Sequence, residues 1–261
     1  DFDPNKDMVE ESNLFEIDRW ALAKLDELVG KARDAYEKFD FHIVTHAIQN
    51  FCTVDMSNFY LDVLKDRLYV EKSDSASRRA AQTAIYRILR DLDLILAPIL
   101  AFTAEEIWQY LPGQQGYDPD AVVYNDIPEV RGDIADPAFM KKWDRIHAIR
   151  DDVNKALELA RAAKSIGKSL EAKVVLHCGD ELFDFMQGIL PDLSTVFIVS
   201  QVELVKGGQG QVTGEVEGLS ITIERAAGQK CERCWVFSDT VGQSNHHPTL
   251  CGRCAGVIQA I

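Results

Sequence analysis

No run of apolar residues in this 261-residue sequence approaches the length of a membrane span. A helix needs roughly eighteen of them to cross a bilayer, so no membrane span is expected in these residues. Positive charge is in deficit: 28 Lys and Arg stand against 42 Asp and Glu, a formal net charge of −14. That balance excludes a generic nucleic-acid binder held by bulk charge, but not one that uses a local patch. No initiator Met opens the chain, and "DFDPNKDMVEES" (1–12) is acidic and polar rather than basic or apolar. No secretory or organellar leader is visible there, and the stretch reads as the middle of a longer chain. Internal repeats and low-complexity tracts are absent. Cysteine is scarce, at six residues, of which Cys52 and Cys178 lie in apolar surroundings. Buried free thiols suit a reducing compartment, so a cytoplasmic protein is expected.

What is present is mostly helical. "LFEIDRWALAKLDELVGKARDAYEKF" sets Leu14, Ile17, Leu22, Leu25, Leu28 and Val29 on one stripe at spacings near three and four. Residues 41–70 repeat the pattern through Phe41, Val44, Ile48, Phe51, Phe59, Leu61 and Leu64. "SDSAS" (73–77) is a loop rich in N-cap residues before another long helix, which Pro98 should kink or break. Thr103 and Glu106 have capping-box spacing and predict the start of a last helix, ended at "LPG". Several long amphipathic helices with short loops predict a bundle over 1–112.

Residues 113–136 read as a connection rich in Gly, Pro and Asp. One more long helix is expected over 136–167, ending near Gly167, so that 113–167 is a connection plus helix. The texture then changes. "EAKVVLHC" is strand-like, "DELFDFMQGI" a short helix, "STVFIVSQVELV" a strand, and "GLSITIERA" a strand by its period of two. These predict a small α/β unit over 168–227. The fold class is thus mainly α: a helical bundle, a small α/β unit, and a C-terminal four-cysteine knuckle module over 228–261.

That module contains C-x2-C-x16-C-x2-C, formed by Cys231, Cys234, Cys251 and Cys254. Two thiolates separated by two residues converge on a metal from one tight turn, and a second such turn completes a tetrahedron. One structural zinc is expected, against two disulfides or four free thiols. A site closed by four protein ligands activates no water. His246 and His247 are rival ligands that four cysteines make unnecessary. Trp235, Val236 and Phe237 follow the first knuckle, and Trp235 either packs against its neighbours or is presented for base stacking.

"NFYLDVLKDRLY" (58–69), "RRAAQTAIYRIL" (78–89), "LAPILAFTAEEIWQYLP" (96–112), "KSIGKSLEAKVVL" (164–176) and "KCERCW" (230–235) resemble the C-terminal half of bacterial-type isoleucyl-tRNA synthetases. The match keeps its order from "EIDRWALAKL" (16–25) to "LCGRC" (250–254). The helical part alone would be shared with valyl and leucyl relatives, whose corresponding portion is the alternative reading. The "IGKSLEA" block joined to a terminal four-Cys module is what points to the isoleucyl kind.

The resemblance implies a class I synthetase that attaches isoleucine to its tRNA using ATP and edits mischarged valine. The catalytic and editing parts are absent here: H-I-G-H, K-M-S-K-S and a Gly-rich nucleotide fingerprint are not found. No catalytic residue is therefore expected in this chain, and ATP belongs to the missing catalytic half. What remains is recognition of isoleucine tRNA: the bundle along the anticodon stem and the zinc module toward the anticodon loop, with Cys231, Cys234, Cys251 and Cys254 as metal ligands. Trp235 and Arg233 are the expected loop contacts, with Lys230 beside them. Arg78 and Arg79, just after an N-cap loop, and Lys65 and Arg67 are candidate phosphate contacts. Partners expected are the tRNA and the chain's own catalytic half, with a monomer and no membrane. A zinc-ribbon scaffold for protein partners, without tRNA affinity, is the rival from another class.

Overall fold

A computed structural model describes residues 1–113, 116–132 and 136–259. The chain divides into two compact units, Asp1–Met140 and Lys141–Ile261.

In the first unit, helix α1 (Glu16–Glu37) is central. Its stripe is buried at Leu22, Leu25, Leu28 and Val29, with Trp20 beside them. It packs against α2 (Phe41–Asn50) and α4 (Ala76–Leu96). Between α2 and α3 (Leu61–Val70) the chain winds as a π-helix over Phe51–Tyr60, which the sequence pattern does not foretell. Wider winding rotates the apolar face, so Phe51, Met56, Phe59 and Tyr60 are all buried. The expected stripe over 41–70 fails at two positions, Phe41 and Leu61, which are exposed, while Val44, Ile48, Phe51, Phe59 and Leu64 are buried.

Ser75 caps α4, its hydroxyl accepting the Arg78 N–H at 3.2 Å. The break at Pro98 is present, between Leu96 and Ala101. The capping box is not. Helix α5 (Ala101–Tyr110) begins two residues before Thr103, with Leu100 at its N-cap and no side-chain cap. The Ala104 N–H already donates to the Leu100 carbonyl, so the helix restarts as soon as the proline turn allows.

The connection is strapped onto the bundle. Trp108 Nε1–H donates to the Asp118 carbonyl at 3.1 Å, and Val122 is fully buried. Arg33 donates to the carbonyls of Ile127 and Pro128, and Asp26 accepts from the Arg131 and Gly132 N–H groups. Such bonds satisfy loop backbone that would otherwise be held at the surface by water.

In the second unit, α6 (Pro137–Ala162) ends five residues before Gly167. Lys164, at φ 57°, takes the left-handed position, and the Ser165 N–H returns to the Ala160 carbonyl. A four-stranded sheet has the order β2–β1–β4–β3, with β1 (Ala172–Cys178) parallel to β2 (Gln201–Lys206) and antiparallel to β4 (Leu219–Arg225). Strand β3 is Val212–Thr213. Helix α7 (Asp180–Gln187) follows β1. The expected strand at 194–205 is half helix: α8 (Leu190–Phe197) occupies its first part. Pro191 sits in the first turn of α8, where its missing N–H costs nothing, and Ile198 ends it at φ 55°. A β-branched run thus yields to local capping. Asp152 on α6 accepts the N–H groups of Glu215 and Val216 at 2.8 and 2.9 Å, tying the helix to the turn before β4.

Candidate metal centre and nucleic-acid interface

Two short strands, β5 (Gln229–Lys230) and β6 (Phe237–Ser238), form an antiparallel hairpin whose tip is the first cysteine turn. Gly228 enters it at φ +84°, with the Ser238 backbone where a Cβ would stand, so only glycine fits. At the tip, the Cys231 N–H donates to the Val236 carbonyl and the Trp235 N–H to the Cys231 carbonyl, at 3.0 and 2.9 Å. The second turn runs into helix α9 (Gly252–Gln259), where the Gly252 N–H donates to Thr240 Oγ1. The Glu232 N–H donates to the Thr249 carbonyl and joins the two turns.

The four sulfur atoms lie within 4.8 Å of one another, and Cys234 Sγ is 3.8 Å from Cys251 Sγ. A tetrahedron with Zn–S bonds of about 2.3 Å has edges of about 3.8 Å, so the donor set and its spacing fit zinc. None of the four is in a disulfide; Cys231, Cys251 and Cys254 are buried and Cys234 half-buried. Burial pushes the Cys231 thiol up, but backbone N–H groups of Cys234, Cys251 and Arg233 aimed at its sulfur outweigh that and bring it down to about 6. The Cys251 N–H to Cys231 Sγ bond is 3.3 Å. Burial raises the Cys234 and Cys254 thiols, and a bound cation would hold both as thiolates. Among the described residues no histidine joins the cluster. Four protein ligands make the centre structural, and it organises a tail too small to fold around its own core. Cys52 and Cys178 lie outside it, and burial raises both thiols, Cys178 to about 11.

Trp235 stands at φ 66°, a conformation that bulky residues rarely adopt, and its side chain is 56% exposed. The next two residues, Val236 and Phe237, are half-buried. Packing therefore claims Val236 and Phe237 and leaves the ring in solvent. Lys230 Nζ lies 5.5 Å from the Trp235 ring centroid, and Lys168 Nζ lies 5.9 Å from it. Lys168 comes from "SIGKS", the loop between α6 and β1, and was not among the residues expected at this site. Its only signal in the sequence is the pairing of that block with the four-Cys module. One relay joins the hairpin to the loop: the Phe237 N–H donates to Ser200 Oγ, itself a donor to the Leu170 carbonyl, while Arg225 Nε–H at the end of β4 donates to the Ser165 carbonyl in the loop.

The other candidate cations are engaged. Arg67 is buried, with its guanidinium committed to Asp18 and Ser77, so burial withdraws it from any surface contact. Arg78 pairs with Asp1 at 2.7 Å, Arg79 with Asp7 at 3.4 Å, and Lys65 with Asp62 at 2.6 Å. Arg233 is half-buried beside the first turn.

Compared with known proteins, residues 18–176 match the family described as the anticodon-binding domain of tRNA ligase. The chain belongs to that family. Residues 228–256 match a second family, the zinc finger found in FPG and IleRS. The isoleucine–tRNA ligase of Syntrophotalea carbinolica is 48% identical over 259 residues, covering 98% of this chain and 28% of that protein. Those of Caldanaerobacter subterraneus subsp. tengcongensis and Geobacter sulfurreducens are each 44% identical, covering 99% of this chain and 28% of theirs. This tRNA-ligase domain thus spans little more than a quarter of the length of the curated relatives it matches. No helix among the described residues is long and apolar enough to cross a membrane.

Proposed function

We propose that this chain is the tRNA-recognition portion of an isoleucine–tRNA ligase, acting in the cytoplasm as a monomer. The remaining portion of such a ligase would bind ATP and isoleucine, form the ester and edit mischarged valine. The residues described here would hold the anticodon stem-loop of isoleucine tRNA, with the helices of 1–112 along the stem. The connection and long helix of 113–167 and the α/β unit of 168–227 would carry the zinc module, 228–261, to the loop. Trp235 would stack on an unpaired base, with Arg233 and Lys230 on neighbouring phosphates. Arg78, Arg79 and Lys65 would exchange their present carboxylate partners for stem phosphates.

One observation supports the reading above the rest. The anticodon-binding family match and the zinc-finger match occur in one chain, in the order found in isoleucine–tRNA ligases that cover it almost completely. That combination disfavours the valyl and leucyl alternatives, and the tRNA-ligase match disfavours a protein-binding scaffold. A gel-shift with isoleucine tRNA and valine tRNA tests it. Tighter binding of the isoleucine tRNA by about tenfold or more, some 1.4 kcal/mol, is the expected result. Equal affinity for both would reduce the chain to a general tRNA binder, and no shift with either would reject the reading.

A further inference from the structure

Trp235 is flanked by two ammonium groups from distant parts of the second unit, Lys168 at 5.9 Å and Lys230 at 5.5 Å. Among the described residues neither forms an ion pair, in contrast to Lys65, Arg78 and Arg79. Each lysine instead rests by its charge on the negative face of the indole. A base that stacks on a ring face beneath an ammonium group must displace that group. The nearest new partner is the phosphate that accompanies the arriving base.

We infer that Lys168, Trp235 and Lys230 form one composite site for a single unpaired nucleotide of RNA, the ring taking the base and Lys168 a flanking phosphate. This deepens, and rests on, the proposal that Trp235 stacks on an RNA base. The exchange is favourable only when base and phosphate arrive together. A flat hydrophobic ligand without a phosphate must displace the lysine and leave its charge unpaired. An anion without a base gains no stacking. The site therefore selects nucleotides over either part alone. It also places a determinant of RNA binding in the loop between α6 and β1, outside the zinc module.

Fluorescence reads this site directly. Of four tryptophans, Trp20, Trp108 and Trp143 are 2%, 0% and 3% exposed, so quenching by a stacked base reports Trp235. The probes are a seven-nucleotide RNA with the anticodon-loop sequence of isoleucine tRNA and the same heptamer with uncharged methylphosphonate linkages. Lys168→Gln should weaken the charged heptamer about three- to fivefold, as loss of one exposed charge pair does. The slope of log affinity against log salt should fall by about 0.7, one phosphate on a single strand. The uncharged heptamer should bind Lys168→Gln as well as, or better than, the unchanged protein, and full quenching should be kept. Unchanged affinity for both probes overturns the inference, and so does equal weakening of both, which would make Lys168 only a prop for the ring. If Trp235→Ala weakens the charged heptamer while Lys168→Gln does not, the stacking proposal survives and this one fails. Absence of quenching in the unchanged protein ends both.

Discussion

Arg67 meets Asp18 through two parallel N–H···O bonds, each 2.8 Å long, with both side chains nearly sealed from water. The pair joins α1 to α3. Asp18 also accepts the Tyr60 hydroxyl at 2.8 Å, and Arg67 reaches the Ser77 carbonyl at 2.7 Å at the start of α4. Removing one partner leaves the other charge buried and uncompensated. Arg67→Ala is expected to destabilise the first unit by about 3–5 kcal/mol in urea unfolding. Arg67→Lys should rescue little of it, because an ammonium group does not reproduce the fork. A loss under 1 kcal/mol would show that the pair is solvated and that Arg67 is available to RNA after all.

Asp93 is the opposite case. It is buried on α4, and neither carboxylate oxygen has a hydrogen-bond partner among the described residues. Burial, and secondarily the charge of Glu105, raise its carboxyl to about 7. An unfolded Asp titrates near 3.9. The fold holds the proton more tightly than the unfolded chain, so this group's contribution to stability falls as pH rises from about 4 to about 7. Asp93→Leu removes the buried acid at similar volume. It should raise stability by about 1–3 kcal/mol at pH 8 and by less at pH 5. Equal gains at the two pH values would show that Asp93 is ionised throughout.

The metal prediction is one zinc per chain. Cobalt substitution should give thiolate charge-transfer bands, and a strong chelator should unfold the tail while most helical circular dichroism stays. Well under one equivalent in carefully prepared protein would count against the site.

Trp235→Ala should weaken binding of isoleucine tRNA about tenfold, the low end of base–aromatic stacking at 1–3 kcal/mol. Zinc content should not change, since the ring is in solvent and the ligands are backbone-fixed. Loss of zinc in this variant would instead make the ring part of the metal module's core.

The sequence announces elements whose cause is local and repeated. The α1 stripe, the Ser75 cap and the break at Pro98 each depend on residues within a turn or two of one another. The four cysteines are legible because two tight turns and one metal leave little freedom in their spacing. What the pattern misreads is decided elsewhere. The β-branched segment at 194–199 coils because Pro191 starts a helix ahead of it. The π-helix buries Phe51, Met56, Phe59 and Tyr60 because tertiary packing, not period, chooses its buried face. Arg67 looks like any surface arginine until Asp18, 49 positions away, claims it. Lys168 and Trp235 are likewise separated by a whole sheet in the chain, and no local signal connects them.

The backbone at Trp235 suits glycine, yet it carries the largest side chain available. Left alone, such a residue would relax to negative φ, gaining about 1–2 kcal/mol. The cysteine turn that zinc fixes is what forbids the relaxation. Metal and ring pose are therefore linked variables. By reciprocity, whatever factor zinc adds to the affinity for a base on this ring, the base must add to the affinity for zinc. On the stacking proposed above, a bound tRNA would act as a remote guardian of the metal, slowing its loss to chelators without touching a single sulfur.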